Sequence, residues 1–181
     1  YKEARYDLIR EIYRANRVAR DNFDLCVEKT QKIIDRVVFV CFAEDIGLLP
    51  DDIVADVIKA SDNSVFDGSL WNALKQFFAA IDGGSSKMGI PDGYNGGLFH
   101  HDTVLDNLKI DDDVLREVLK LSRYDFKDQL SVTVLGHIFE QSISDLEEIR
   151  TKAQAGETVD DITKSTVTSK RKKDGIFYTP D

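Results

Sequence analysis

The side chains that most often carry chemistry are few in this sequence and poorly spaced for it. The histidines are His100, His101 and His137, and none is joined by a cysteine or carboxylate at zinc-like spacing. Adjacent histidines point apart on regular structure, so all three read as surface or hydrogen-bonded residues. A divalent-metal nuclease needs an Asp followed on a neighbouring strand by Asp/Glu-x-Lys, the carboxylates holding the metal and the lysine supporting the attacking water. Asp92, and later Asp125-Phe126-Lys127, match that pattern loosely, but the surrounding sequence predicts helix and loop. There is no Gly-x-Ser-x-Gly elbow, P-loop or Gly-x-Gly-x-x-Gly. Gly83-Gly84 and Gly96-Gly97 read as loop geometry. No catalytic residue and no metal ligand is therefore assigned to the chain.

Two basic clusters have the spacing to meet phosphate. Arg10, Arg14 and Arg17 share a face if one helix runs through them, and Lys170-Arg171-Lys172-Lys173 is a run of four cations. The first reads as a solvated face with Glu partners. Against both stands the whole chain: 24 basic and 33 acidic residues give a net charge of −9, which repels nucleic acid on average. Cys26 and Cys41 fall in one predicted helix, roughly 22 Å apart at 1.5 Å per residue, too far for a disulfide. Two unpaired thiols lead to the expectation of a reducing, cytoplasmic setting. No apolar run approaches the roughly 20 residues of a membrane span.

The elements that must position these residues are helices. Leu8, Ile9, Ile12 and Tyr13 set an amphipathic helix from about Glu3 to Arg20, with Asp21 or Asn22 ending it or capping the next. A second runs from about Phe23 to Ile46. Its stretch Val37-Val38-Phe39-Val40-Cys41-Phe42 is β-branched and aromatic, yet the helical period enters it unbroken from Ile33-Ile34. Gly47 and Pro50 stop it. Shorter helices follow from Asp51 or Asp52 to Lys59, from Ser69 to Ile81, at Asp102–Leu108 and from Asp111 to Leu121. Between Ile81 and Leu98 lies a long Gly-containing loop. Ser131 to Ala153 is the last long helix, with Val134, Leu135, Ile138, Phe139, Ile143, Leu146 and Ile149 apolar. Beyond Gly156 the chain turns polar, with a strand expected at Ile162 to Thr168 and a turn at Lys173-Asp174-Gly175. The fold expected is all-α: a bundle of about six or seven helices over residues 1–155 and a flexible tail over 156–181. At 181 residues with 42% hydrophobic content, the chain is long enough to bury such a core. The only methionine is Met88, and the expectation is a segment of a longer protein.

Four stretches, in order, carry a resemblance. They are Phe42-Ala43-Glu44-Asp45-Ile46-Gly47-Leu48-Leu49, Tyr94-Asn95-Gly96-Gly97-Leu98-Phe99, Leu135-Gly136-His137-Ile138-Phe139-Glu140, and Arg171-Lys172-Lys173-Asp174-Gly175-Ile176-Phe177-Tyr178-Thr179-Pro180. Together they resemble the helical connector of single-chain type IIG and IIL restriction–modification enzymes, running into the first motif of a γ-class N6-adenine DNA methyltransferase. The resemblance implies a nuclease upstream using Mg2+, and a methyltransferase and target-recognition domain downstream. It implies S-adenosylmethionine as cofactor and DNA as substrate, contacted mainly by the other domains. Phe177, Tyr178, Thr179 and Pro180 match the motif beside the methionine end of the cofactor, with Thr179 as polar contact to its carboxylate. By the same resemblance this chain is the spacer between the flanking nuclease and methyltransferase domains, itself non-catalytic and binding no cofactor alone. The runner-up is a non-enzymatic helical protein-interaction module. The Tyr94–Phe99 loop reads as a clasp between helices, anchored by Leu98 and Phe99.

Overall fold

The computed structural model describes residues 2–65, 69–94, 96–123 and 132–164. In chain order the helices are α1 (Lys2–Ala15), α2 (Arg17–Asp21), α3 (Phe23–Asp45), α4 (Ile53–Asp62), α5 (Leu70–Gly83), α6 (Thr103–Asp106), α7 (Asp112–Leu119), α8 (Val132–Gln154) and α9 (159–164). Short 3-10 turns sit at Ser86–Met88 and Lys120–Arg123. The described residues contain no β-strand, only an isolated bridge between Ser85 and Ile90. The fold is all-α, and no described helix is long and apolar enough to cross a membrane. The chain divides into compact units Tyr1–Gly136 and His137–Asp181. The compositional boundary at 155/156 marks the end of α8, while the units divide earlier, within it.

α3 is the axis of the first unit, packing on α1, α2, α4 and α7. Ile33, Ile34, Val37, Val38, Val40 and Cys41 are all buried along it. Each such aliphatic side chain contributes roughly 1.5–3 kcal/mol on leaving water, which overrides the β-propensity of the run. Asn22 caps the start, accepting from the Leu25 amide, and the end closes in a Schellman motif. The Gly47 amide donates to the Glu44 carbonyl and the Leu48 amide to that of Ala43, with Gly47 at φ +75°.

The single helix expected from Glu3 to Arg20 is broken at Asn16, whose backbone is extended at φ −123°, ψ 123°. The cause lies far along the chain. Asn16 Nδ2 donates to the Lys109 carbonyl at 2.8 Å and the Lys109 amide donates to Asn16 Oδ1 at 2.8 Å, so the buried amide pairs the Lys109 backbone as a strand would. Arg20 then donates to the Tyr13 and Arg14 carbonyls that the break leaves open. The break also puts Arg17 on α2, off the helix that carries Arg10 and Arg14. Asn16→Ala would leave both Lys109 groups without their partner and should lower stability by about 2 kcal/mol. A lower urea midpoint at unchanged m-value is the expected reading, and a loss below about 0.5 kcal/mol would show that the pair holds nothing.

In the second unit, α8 ends as α3 does. The Gly156 amide donates to Ala153 and the Glu157 amide to Lys152. Ile143, expected on the apolar side of α8, is instead 60% exposed. The strand expected at Ile162 to Thr168 is overturned where it is described, because residues 159–164 are helical. Thr158 Oγ1 accepts from the Asp161 amide at 3.2 Å and its hydroxyl donates to the Asp161 carboxylate at 2.5 Å, an N-cap that starts a helix. Ile162 and Thr163 are buried, so the expected tail is ordered helix as far as Lys164. Residues 165–181 lie outside the described residues.

Candidate functional site

The Gly-containing loop between α5 and α6 is tied down by one side chain of α3. Arg36 is 1% exposed, with Ile33, Ile34, Val37 and Val38 as apolar neighbours on its helix. Its Nε donates to the Leu98 carbonyl and its Nη2 to the His100 carbonyl, both at 2.8 Å. The guanidinium carbon lies 5.2 Å from the Phe78 ring centre and 5.9 Å from that of Phe99. The planar fork thus reads two carbonyls at its edge while aromatic faces cover it. Burial pulls the Arg36 pKa down, against the pull of Asp106, Asp102 and Asp82. Phe99 packs edge-on to Phe39, which meets Tyr94 in the same way. The Tyr94 hydroxyl donates to the Leu48 carbonyl at 2.5 Å and its amide to Ile81 at 2.7 Å. Gly93 passes so close to the end of α5 that a Cβ there would sit 2.1 Å from the Asp82 carbonyl oxygen.

Where the loop re-enters helix, Asp102 gathers charge. Its carboxylate caps α6 by accepting from the Leu105 amide, and Lys29 and Lys32 of α3 reach it at 2.9 and 3.0 Å. Burial pushes the carboxyl up, but the Leu105 amide and the two ammonium groups outweigh it and hold the pKa well below the usual carboxylate range. Lys29 is raised: burial opposes its charge, and Glu28 with Asp102 overcomes it. His100 lies 2.6 Å from Asp82, and His101 lies 2.6 Å from Asp106. At the other end of α3, Glu44 sits at the start of α4, whose cap residue Asp52 makes no side-chain capping bond. Burial raises the Glu44 carboxyl despite the Val54 and Asp52 amides that favour its ionised form.

A second feature is an open groove of about 970 Å³ between α1, α4 and α7. Asp7, Arg10, Glu11 and Arg14 form one wall and Asp113, Arg116, Glu117 and Lys120 another, with Ala55, Ile58 and Val114 among the apolar lining.

The loop expected as a clasp is one, with Phe99 buried and Leu98 half-buried. Arg10 and Arg14 line the groove beside carboxylates of their own helix. Phe177, Tyr178, Thr179 and Pro180, the Lys170–Lys173 run, Asp125-Phe126-Lys127 and Asn95 lie outside the described residues, as do the side chains of Leu135, His137 and Ile138. Among the described residues no group of three or more His, Cys, Asp or Glu is placed to hold a metal ion. Cys26 and Cys41 are buried and free, and burial pushes both thiols up to about 12, far from reactive thiolate. Sequence reasoning missed Arg36 and Asp102. For Arg36 the available signal was a charge inside an apolar helical run, which must find buried partners. No protein-family model, curated protein or solved structure matches the chain.

Proposed function

We propose that this chain is the helical connector of a DNA restriction–modification protein. That protein methylates adenine at N6 with S-adenosylmethionine and, where a nuclease precedes the connector, cuts DNA with Mg2+. A phage-defence adenine methyltransferase lacking the nuclease shares the same connector. The observation that supports this reading most is the clasp. Two of the four resembling stretches, far apart along the chain, meet where the Tyr94 hydroxyl bonds the Leu48 carbonyl, and Arg36 locks the second of them. A body tied this way suits a spacer. Two active sites working on one duplex need a fixed separation, and a flexible linker would blur it. The second reading, a protein-interaction module, is favoured by the groove between α1, α4 and α7.

Methyl transfer tests the proposal. The intact protein should move labelled methyl groups from S-adenosylmethionine to adenine in duplex DNA, and the 181-residue chain alone should not. In the intact protein Thr179→Ala should weaken cofactor binding by roughly 1–3 kcal/mol in calorimetry, the range for losing a hydrogen bond to a charged group. An intact protein that transfers no methyl group would reject the reading. Unchanged affinity in the variant would remove the assignment of Phe177, Tyr178, Thr179 and Pro180.

A further inference from the structure

The two charged walls of the groove carry one pattern. On α1 it is Asp7, Arg10, Glu11 and Arg14, and on α7 and the residue after it Asp113, Arg116, Glu117 and Lys120. Both read acid, base, acid, base at i, i+3, i+4 and i+7, and all eight side chains line the groove. Along each helix the pattern places opposite charges at i, i+3, where Asp7 pairs with Arg10 and Glu117 with Lys120. It sets like charges at i, i+4 in Asp7–Glu11, Arg10–Arg14, Asp113–Glu117 and Arg116–Lys120, a spacing at which they repel. Its product is an acidic stripe beside a basic stripe on each wall.

Those stripes are self-complementary when antiparallel. Asp7 then meets Arg14 of the opposite strand of charges and Arg10 meets Glu11, while Asp113 meets Lys120 and Arg116 meets Glu117. Antiparallel self-matching is what a two-fold axis produces, and a two-fold axis is the geometry of an isologous dimer. Ala55, Ile58 and Val114 lie half-buried among the charges, a small apolar contact for such an interface. We infer that this face, independently of the connector reading, docks a second copy of the chain, the α1 wall of one copy antiparallel to the α1 wall of the other. The pairs already formed do not block it. Asp7 with Arg10, Glu117 with Lys120 and Arg116 with Asp62 are all partly exposed, as is the 3.3 Å bond from the Asp111 amide to Glu11, and such pairs exchange readily. Four carboxylates in the same groove disfavour a nucleic acid as the occupant.

Sedimentation equilibrium of the 181-residue chain tests this with two variants, Asp7→Lys/Glu11→Lys and Arg10→Glu/Arg14→Glu. The wild type should show a monomer–dimer equilibrium. Raising salt from about 0.01 M to about 1 M, which shortens the screening length from about 30 Å to about 3 Å, should weaken it. Each variant alone should raise the dimer dissociation constant roughly tenfold or more. An equimolar mixture of the two should restore the dimer, because an all-basic wall then meets an all-acidic one. Circular dichroism checks that helix content is unchanged. If either double variant fails to fold, the single swaps Asp7→Lys and Arg14→Glu replace them. A wild type that stays monomeric up to about 1 mM overturns the proposal. So does a mixture that stays monomeric while both variants are folded. Either result leaves the groove to a helix of another protein.

Discussion

Replacing Arg36 with alanine should destabilise the first unit by about 4 kcal/mol. Two charge-assisted hydrogen bonds disappear, the Leu98 and His100 carbonyls lose their donor, and a void opens between Phe78 and Phe99. Trp71 is the only tryptophan and lies edge-on to Phe78 at 6.5 Å, so its fluorescence reports the site during urea unfolding. Arg36→Lys should recover less than half of the loss, because one ammonium on a flexible stem cannot reproduce the planar fork. Arg36→Met keeps most of the volume and none of the donors, so it separates packing from hydrogen bonding. The loop after α5 should also become more open to limited proteolysis in each variant, since its carbonyl anchors are gone. A loss below about 1 kcal/mol for Arg36→Ala would mean that ring packing alone holds the loop.

What was legible in the sequence was local. The helical period through Val37–Phe42 and the Gly47 stop predicted α3, and Leu98 with Phe99 predicted a loop anchored to the core. What was not legible depends on partners distant in sequence. Asn16 is a mild helix residue, and nothing near it announces a break. The Lys109 backbone, reached only once the fold closes, selects the extended conformation. At residues 162–164 helix replaces the expected strand. Thr158 followed three residues later by Asp161 is a capping signal, and that cap decides the outcome. At the candidate site the clasp was readable and its arginine was not. Sequence spacing says that a charge inside an apolar helix needs partners, but not that they are two backbone carbonyls across a loop.

The acid limb of stability should belong in good part to Asp102. Its side chain is 12% exposed and bound by Lys29, Lys32 and the Leu105 amide, so Asp102→Ala should cost about 3 kcal/mol at neutral pH. Asp102→Asn is the sharper probe, because asparagine caps a helix about as well and only the ionic part is lost, about 2 kcal/mol. The sign follows from the depressed pKa. A carboxylate favoured in the folded state contributes fully above its unfolded value of about 3.9, and the contribution is lost as pH falls from about 5 through the lower folded value. Lys29 carries the opposite sign. Its raised pKa means that its share is present below the ordinary lysine value of about 10.4 and is lost as pH rises through the folded one. Wild-type curves mix these with Asp35 and Glu44. Burial raises both of those carboxyls, against Gln31 and Arg5 at Asp35 and against the α4 amides at Glu44. Their protonation on acidification therefore favours the folded state and masks part of the Asp102 loss. The difference between wild type and Asp102→Asn removes that masking. It should be about 2 kcal/mol from pH 7 down to about 5 and shrink steadily below that. A difference that holds constant down to about pH 3, measured by urea unfolding at each pH, would show that Asp102 acts through hydrogen bonds alone and not through its charge.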